Sequence, residues 1–472
     1  MYAHIQARFA RIAQDAPCLF LGLVLLLAAA WKMSPSYLLL AVTFCSILIY
    51  PIRFFYALPL FFSYYFYAPL PYPFEQPAYV RGGFFPQVIE KRCTHFSQGW
   101  TLRGTLQVEG RLLHTTLRLP YLPKPLGPCL VEGVCKNISP YQCALTLKKP
   151  IHPLKKNSWL VARWQALEAC SGWITKQVPS KKSAAFLRTF FLGKKEQISL
   201  IHGFQRLGLS HILAISGFHF CLIAALLTPL FRRFCSFRLG TLFPLLFLGS
   251  YALLLQNSPS SLRAFCVIAL YFLAELFGKR VCSYNLLGIS LIVSLLVQPS
   301  TLFSPSFQLS YLSCFALLLF YPRIRKTLAI YLNASIRPYK WNNILLCWSS
   351  YLQQALSATL SVYFLTFPVV IAHFSTFAYS GMLYNLFFPG IIGILMGLWA
   401  LFWPLAFFSS FGKGLVSITD SALNICLYAP VCCQTCVYGQ SISSEGAFFW
   451  VALLLFAGFA LQGDPCFRYH ID

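Results

Sequence analysis

Ile212-Leu-Ala-Ile-Ser-Gly-Phe-His-Phe-Cys-Leu-Ile-Ala-Ala-Leu-Leu-Thr-Pro-Leu-Phe-Arg-Arg233 decides the fold class. It stays apolar for about the 20 residues that a membrane-spanning helix needs, then stops at paired arginines. Working outward, the unit recurs. Leu239–Leu255 ends at the uncharged Gln256–Ser261, and Leu262–Gly278 ends at Lys279-Arg280. Tyr284–Val297 ends at the uncharged Gln298–Phe307, and Gln308–Phe320 ends at Arg323, Arg325 and Lys326, followed by Arg337 and Lys340. Basic and uncharged connections alternate, as cytoplasmic and outer loops do. Composition agrees: of 472 residues, 58% are hydrophobic and 10% charged, with a mean hydropathy of +0.65. Soluble domains carry about 25% charged residues, so a water-soluble globular protein is excluded.

Earlier spans are expected at Cys18–Trp31, Tyr37–Tyr50 and Phe54–Leu70, and later ones within Ile344–Ala372, Met382–Phe408, Leu415–Cys433 and Ala447–Leu461. Trp341–Leu360, with Gln353 and Gln354, is more polar than the rest and suits an interface or a bundle interior. The total is ten to twelve spans. No small-residue cleavage site follows the first span, which reads as a retained helix rather than a signal peptide. Arg8, Arg11 and Arg53 place the N-terminus inside and the chain after Leu70 outside.

Residues 71–170 differ in kind. Trp100–Val108 alternates Leu102, Leu106 and Val108 with Thr101, Arg103, Thr105 and Gln107, a strand period. A Glu109-Gly110 turn leads into Leu112–Leu119, predicting a hairpin. Pro128–Lys136, Gln142–Lys148 and Ser158–Ala162 read as further strands. Five short strands suit a small barrel such as an OB-fold. The expected fold is therefore a polytopic α-helical membrane protein with an inserted all-β, OB-like extracytoplasmic domain. Its parts are N-terminal helices over 1–70, the β domain over 71–170 and a helical channel domain over 171–472.

The formal net charge is +25, and 19 basic against six acidic residues fall between Pro71 and Leu200. Within that segment Lys148, Lys149, Lys155, Lys156, Trp159, Arg163 and Trp164 interleave cations with rings. Such a pattern suits sequence-independent single-strand binding, and equally a solvated basic face. Of 18 cysteines, Cys93, Cys129, Cys135, Cys143 and Cys170 lie here. In an outer compartment a disulfide is permitted, and an odd number leaves at least one unpaired. Cys433-Gln-Thr-Cys436 lacks a second pair or a nearby His, so no metal site is expected; nor is any cofactor.

Ionisable and amide groups inside spans are functional suspects because they are costly there. Ser216 and His219 are spaced for one helix face, and Gly217 between them invites close packing or a break. A break at that depth survives only beside a cavity or within protein. Arg263 stands near an outer helix end, where snorkelling is the bland alternative. Glu275, twelve residues on, is about 18 Å away along the helix. It reads as part of a surface ion pair beside Lys279-Arg280. His211, Gln308, His373, Asn385 and Asp420 complete the polar set.

Phe204-Gln-Arg-Leu-Gly-Leu-Ser-His-Ile-Leu-Ala-Ile-Ser-Gly-Phe-His219 resembles the signature of the ComEC family of bacterial DNA-uptake proteins. Ser258-Pro-Ser-Ser-Leu-Arg-Ala264, Gly278-Lys-Arg280 with Asn285-Leu-Leu287, Gln298–Ser310 and Asn385-Leu-Phe-Phe-Pro389 follow in the family's order. The resemblance covers roughly residues 185–400. It implies passage of single-stranded DNA across the bacterial inner membrane in natural transformation, with His211, Ser216, Gly217, His219, Arg263, Gln308 and Asn385 lining or shaping the path. Arg263 would contact phosphate. Expected partners are single-stranded DNA, the lipid bilayer, a cytoplasmic helicase, a DNA-receptor protein, a separate nuclease and further copies of the chain. Two departures stand out. The His-x-His-x-Asp-His cluster of the metallo-β-lactamase-like nuclease domain in many members is missing, so no enzyme activity is expected. Phe220 and Cys221 replace smaller residues after His219.

The sequence also admits two rival classes. Ala214-Ile-Ser-Gly217 is within one residue of the Gly-x-Ser-Gly of rhomboid-type intramembrane serine proteases, with His373 as base. A transporter of another anionic substrate would use the same basic outer domain.

Overall fold

The computed structural model describes residues 16–33, 78–93, 98–108, 111–120, 128–139, 142–153, 158–194, 197–213, 215–255, 259–297, 304–335, 343–374, 376–403, 409–428, 435–437, 451 and 454. The spans expected at Tyr37–Tyr50 and Phe54–Leu70, most of that at Ala447–Leu461, the Glu109-Gly110 turn, and Lys155 and Lys156 lie outside them.

The expected hairpin forms between β2 (Gln98–Val108) and β3 (Arg111–Leu119), which pair antiparallel from Trp100↔Leu119 to Val108↔Arg111. Its alternation buries Leu102, Leu106, Val108, Leu117 and Leu119 and leaves Arg103, Gln107 and Arg118 exposed. Ahead of it, β1 (Ala78–Cys93) runs against β2 with one half and against β4 (Cys129–Ser139) with the other. β5 (Gln142–Leu147) joins β3 in parallel and β4 antiparallel. The order β1-β2-β3-β5-β4 thus returns to β1 and closes a small five-stranded barrel, with β6 (His152–Pro153) appended to β4. Closure removes the unpaired strand edges that an open sheet would expose.

One expectation is corrected. Ser158–Ala162 is not a strand but the first turn of helix α2 (Ser158–Gln177), α1 being Pro17–Met33. Trp159-Leu-Val161 is strand-like only over so short a window. Val161 and Trp164 close on the barrel core while Leu167, Ile174 and Val178 enter a helical core. That helical period over 20 residues outweighs the local composition. The fifth barrel strand is instead β1, which no sequence signal had marked. α2 ties the two parts of the protein together: Trp164 meets Trp100 of the barrel edge-on at 6.2 Å, and Trp173 meets Trp403 at 4.6 Å.

The rest is mostly helical: α3 (Lys181–Leu192), α4 (Ile198–Arg206), α5 (Gly217–Phe234), α6 (Phe237–Leu254), α7 (Pro259–Leu276), α8 (Ser283–Val297), α9 (Pro305–Leu319) and α10 (Tyr321–Ser335). Then come α11 (Asn343–Phe374), β7 (Thr376–Ala378), α12 (Ser380–Tyr384), α13 (Phe388–Phe402), α14 (Ser409–Tyr428) and β8 (Thr435–Val437), which pairs with β7. Among the described residues three helices are long and apolar enough to cross a membrane: Gly217–Phe234, Phe237–Leu254 and Trp348–Phe374. A fourth arises if Pro305–Leu319 and Tyr321–Ile330, bent by 46°, act as one. Three apolar cores hold the bundle. One joins α1, α8, α9 and α11; one joins α2, α3, α4, α13 and α14; and one joins α5, α6 and α7.

The span read from Ile212 also needs correction. Residues 207–213 and 215–216 are not helical; the former are turns and the latter an extended lead into α5. Ile212 and Leu213 are buried in protein. Their apolarity serves the interior of the bundle rather than a lipid-facing helix.

Candidate functional site

Two stretches that interrupt the helices, one around Gly208 and His211 and one over 376–387, meet in the helical part. Gly208 adopts φ +74°, a conformation glycine reaches without the penalty of a side chain. A Cβ there would lie 2.8 Å from the Cβ of Ala378 and 3.0 Å from the Cα of Gly381. Just beyond this contact His211 Nε2 sits 3.3 Å from Asn385 Oδ1, and Asn385 Nδ2 donates to Thr359 on α11 at 3.4 Å. One chain break is thereby held against the other by backbone proximity and by an amide.

Ser216 caps α5. Its N–H donates to His219 Nδ1 at 3.2 Å, and its hydroxyl stands 3.2 Å from the same nitrogen. The three-residue spacing thus forms a reciprocal cap in which His takes the place usual for Glu or Gln. His219 is only 1% exposed and stacks on Phe190 at 6.0 Å. Its Nε2 is buried without a hydrogen-bond partner among the described residues. His373, the base of the protease reading, bonds Gln308 Oε1 at 2.8 Å, whereas Ser216 bonds His219.

Arg263, on α7, brings its Nη2 to 3.5 Å from the position a Cβ of Gly217 would take, at the N-terminal end of α5. It donates to Cys314 on α9, and its guanidinium lies 5.9 Å from the Tyr311 ring centre. Among the described residues no carboxylate pairs with it, and its Nε is buried without a partner. Sequence reasoning missed the hydroxyls behind it: Tyr311 bonds Ser294 at 2.9 Å and Ser290 at 3.4 Å. No local signal marks them, because α8 and α9 meet only in the folded chain.

The two remaining acids have partners far away in sequence. Glu275 pairs with Arg232 at 2.7 Å rather than with Lys279 or Arg280. Asp420 accepts from Ser180 at 2.8 Å and Ser183 at 2.7 Å, at the N-terminus of α3, where a helix dipole favours negative charge. Beside it Lys182 donates to Asn424 at 2.7 Å. Residues 180, 182, 183 and 424 carried no sequence signal, since each is an ordinary polar residue until the helices are brought together.

On the barrel Lys148 and Lys149 are exposed, and on α2 Trp159 is 60% exposed. Trp164 is half-buried, and Arg163 is 8% exposed. Lys149 and Arg81 clasp Glu132 at 2.6 and 2.9 Å. The hydrogen bond from Lys149 and the two nearby cations hold the Glu132 carboxyl below its ordinary range. Arg103 faces Thr116 across the β2–β3 pair, Arg118 is one step along, and the exposed Phe85 is on the adjoining β1. These sequence-distant residues form a second basic and aromatic face. Cys129 and Cys170 are free thiols, and burial pushes Cys129 up to about 11. Among the described residues no cluster of His, Cys, Asp or Glu could hold a metal.

Residues 190–463, more than half of the chain, match the family described as Competence protein. Over 121 residues the chain is 37% identical to ComE operon protein 3 of Bacillus subtilis (strain 168), covering 25% of this chain and 16% of that protein. The shared segment is thus a small part of the relative's length. No solved structure matches.

Proposed function

The chain belongs to the competence protein family, and on that premise we propose that it passes single-stranded DNA across a bacterial inner membrane during DNA uptake. Arg263 carries the reading. It is a half-buried cation with no carboxylate partner among the described residues, at the positive end of a helix. Both features favour a visiting anion, and a phosphate backbone supplies one after another without regard to sequence. Gly217, Ser216 and His219 shape the helix end beside it, while His211, Asn385 and Gln308 hold the breaks that border the path. These roles are positional; no covalent chemistry is assigned to any of them.

The barrel is read as an OB-like receiver for the strand. Its closed five-strand order with parallel β3 and β5 supports this, as do the cations and rings on its surface. In this reading residues 1–70 are N-terminal spans, 71–170 the extracytoplasmic barrel domain and 171–472 the channel domain. The N-terminus is cytoplasmic. A cytoplasmic helicase supplies the driving energy, a receptor protein delivers DNA, and a separate nuclease degrades the complementary strand.

The test replaces Arg263 by Ala and by Lys in a transformable host at matched expression. A lost charge-assisted contact costs about 1.5–3 kcal/mol, so uptake of labelled DNA into the cytoplasm should fall by about tenfold or more in Arg263→Ala and less in Arg263→Lys. Wild-type uptake in Arg263→Ala would remove the residue from the path.

A further inference from the structure

One end of the α5–α6–α7 unit carries a surface that the conduit does not use. Phe234 and Phe277, at the ends of α5 and α7, are 79% and 75% exposed, the two most exposed large apolar side chains among the described residues. Phe237, opening α6, is 52% exposed. Each has an exposed cation within three residues: Arg233, Arg238, Lys279 and Arg280. The three helix ends are held together. Arg232 binds Glu275 and Thr241 at 2.7 and 2.8 Å and lies 4.7 Å over the Phe237 ring. A Cβ on Gly240 would collide with Arg232, so α6 starts directly against α5. Glu275 is occupied by Arg232, and among the described residues Arg233, Arg238, Lys279 and Arg280 have no carboxylate partner.

We propose that this end binds anionic phospholipid headgroups. Arg233, Arg238, Lys279 and Arg280 hold phosphate while Phe234, Phe237 and Phe277 enter the boundary between headgroups and acyl chains. Basic residues at a spanning-helix end attract anionic lipid, and apolar rings at the same level gain from the acyl boundary. A nucleic acid or an acidic soluble protein would match the cations but would leave three phenyl rings in water unless it stacked on them. The rings therefore favour lipid, independently of any role in DNA passage.

The full-length chain, purified and reconstituted in phosphatidylcholine vesicles, is examined with spin-labelled phosphatidylglycerol and spin-labelled phosphatidylcholine. The motionally restricted fraction of the anionic lipid should exceed that of the neutral one by about threefold or more, an excess suppressed by salt. Replacing Arg233, Arg238, Lys279 and Arg280 by Gln should equalise the two, while a variant carrying Arg233→Lys, Arg238→Lys and Lys279→Arg should keep the preference. If the Gln variant does not elute as the wild type, R233Q/R238Q and K279Q/R280Q are measured separately, and each should lose part of the excess. Equal restriction in the wild type, an undiminished excess in the Gln variants, or release of the labelled anionic lipid by an added single-stranded oligonucleotide would overturn the proposal. A DNA-uptake defect is not read in this experiment, so the two readings stand or fall separately.

Discussion

Replacing Gly208 by Ala should damage the junction of the two chain breaks more than either strain or crowding would alone. Gly208 has φ +74°, and an L side chain in the left-handed region costs about 1–2 kcal/mol. Its Cβ would also stand 2.8 Å from the Cβ of Ala378 and 3.0 Å from a backbone atom of Gly381. Overpacking of that kind costs about 1–3 kcal/mol, giving about 2–5 kcal/mol together. Two other glycines separate the causes. Gly278 has φ +63° but nothing within 4 Å of its Cβ position, so Gly278→Ala should show strain alone. Gly397 lies inside α13 with nothing within 4 Å; Gly397→Ala should be neutral or stabilising by up to about 1 kcal/mol. The assay heats the detergent-solubilised chain and follows the monodisperse fraction by fluorescence-detected gel filtration. The predicted order of midpoints is Gly397→Ala, then Gly278→Ala, then Gly208→Ala lowest. If Gly208→Ala unfolds no earlier than Gly278→Ala, the close approach of residues 208 and 381 is not what holds the breaks together.

Other expectations follow from the polar contacts. Asp420→Ala should lower the same midpoint by more than Asp420→Asn, because two hydroxyls at the start of α3 lose their acceptor, at about 1–3 kcal/mol for each buried group left unsatisfied. Ser216→Ala should cost about 1 kcal/mol through the lost cap, read as an earlier midpoint. Glu275→Gln should weaken the link between α5 and α7 by about 1 kcal/mol or less, with the difference shrinking in high salt. The Glu132 carboxyl is held below its ordinary 4.5, so its contribution is fully present above that value and is lost as pH falls through the lower folded value. Amide protection in β1 and β4, corrected for the slower intrinsic exchange at lower pH, should therefore fall on acidification, and Glu132→Gln should remove that step.

Much of the architecture was legible because it rests on patterns a short window can see. The rhythm of basic and uncharged connections marked α5, α6, α7, α8 and α9, and the alternation around Leu102 and Leu117 marked the β2–β3 hairpin. What failed did so where tertiary contacts override local composition. Ile212 and Leu213 are as apolar as any span yet pack inside protein in a non-helical link. Trp159-Leu-Val161 looks like a strand but begins a helix whose period emerges only over 20 residues. The site was legible as residue types and not as pairs. His211, Ser216, His219, Gln308 and Asn385 were singled out singly. Only Ser216–His219 was pairable from spacing; Asn385 with His211, Gln308 with His373, and Glu275 with Arg232 lie 43 to 174 residues apart. Arg103, Arg118 and Phe85 on the barrel were invisible as a face until the strand register was known.

In the proposed function this chain is the route by which DNA crosses the membrane. The most direct test deletes the gene in a transformable host and follows radiolabelled DNA into a protease- and nuclease-protected cytoplasmic pool. Labelled DNA should still bind the cell surface while the cytoplasmic pool disappears, and the wild-type gene should restore it. An undiminished cytoplasmic pool in the deletion strain would show that DNA crosses by another route.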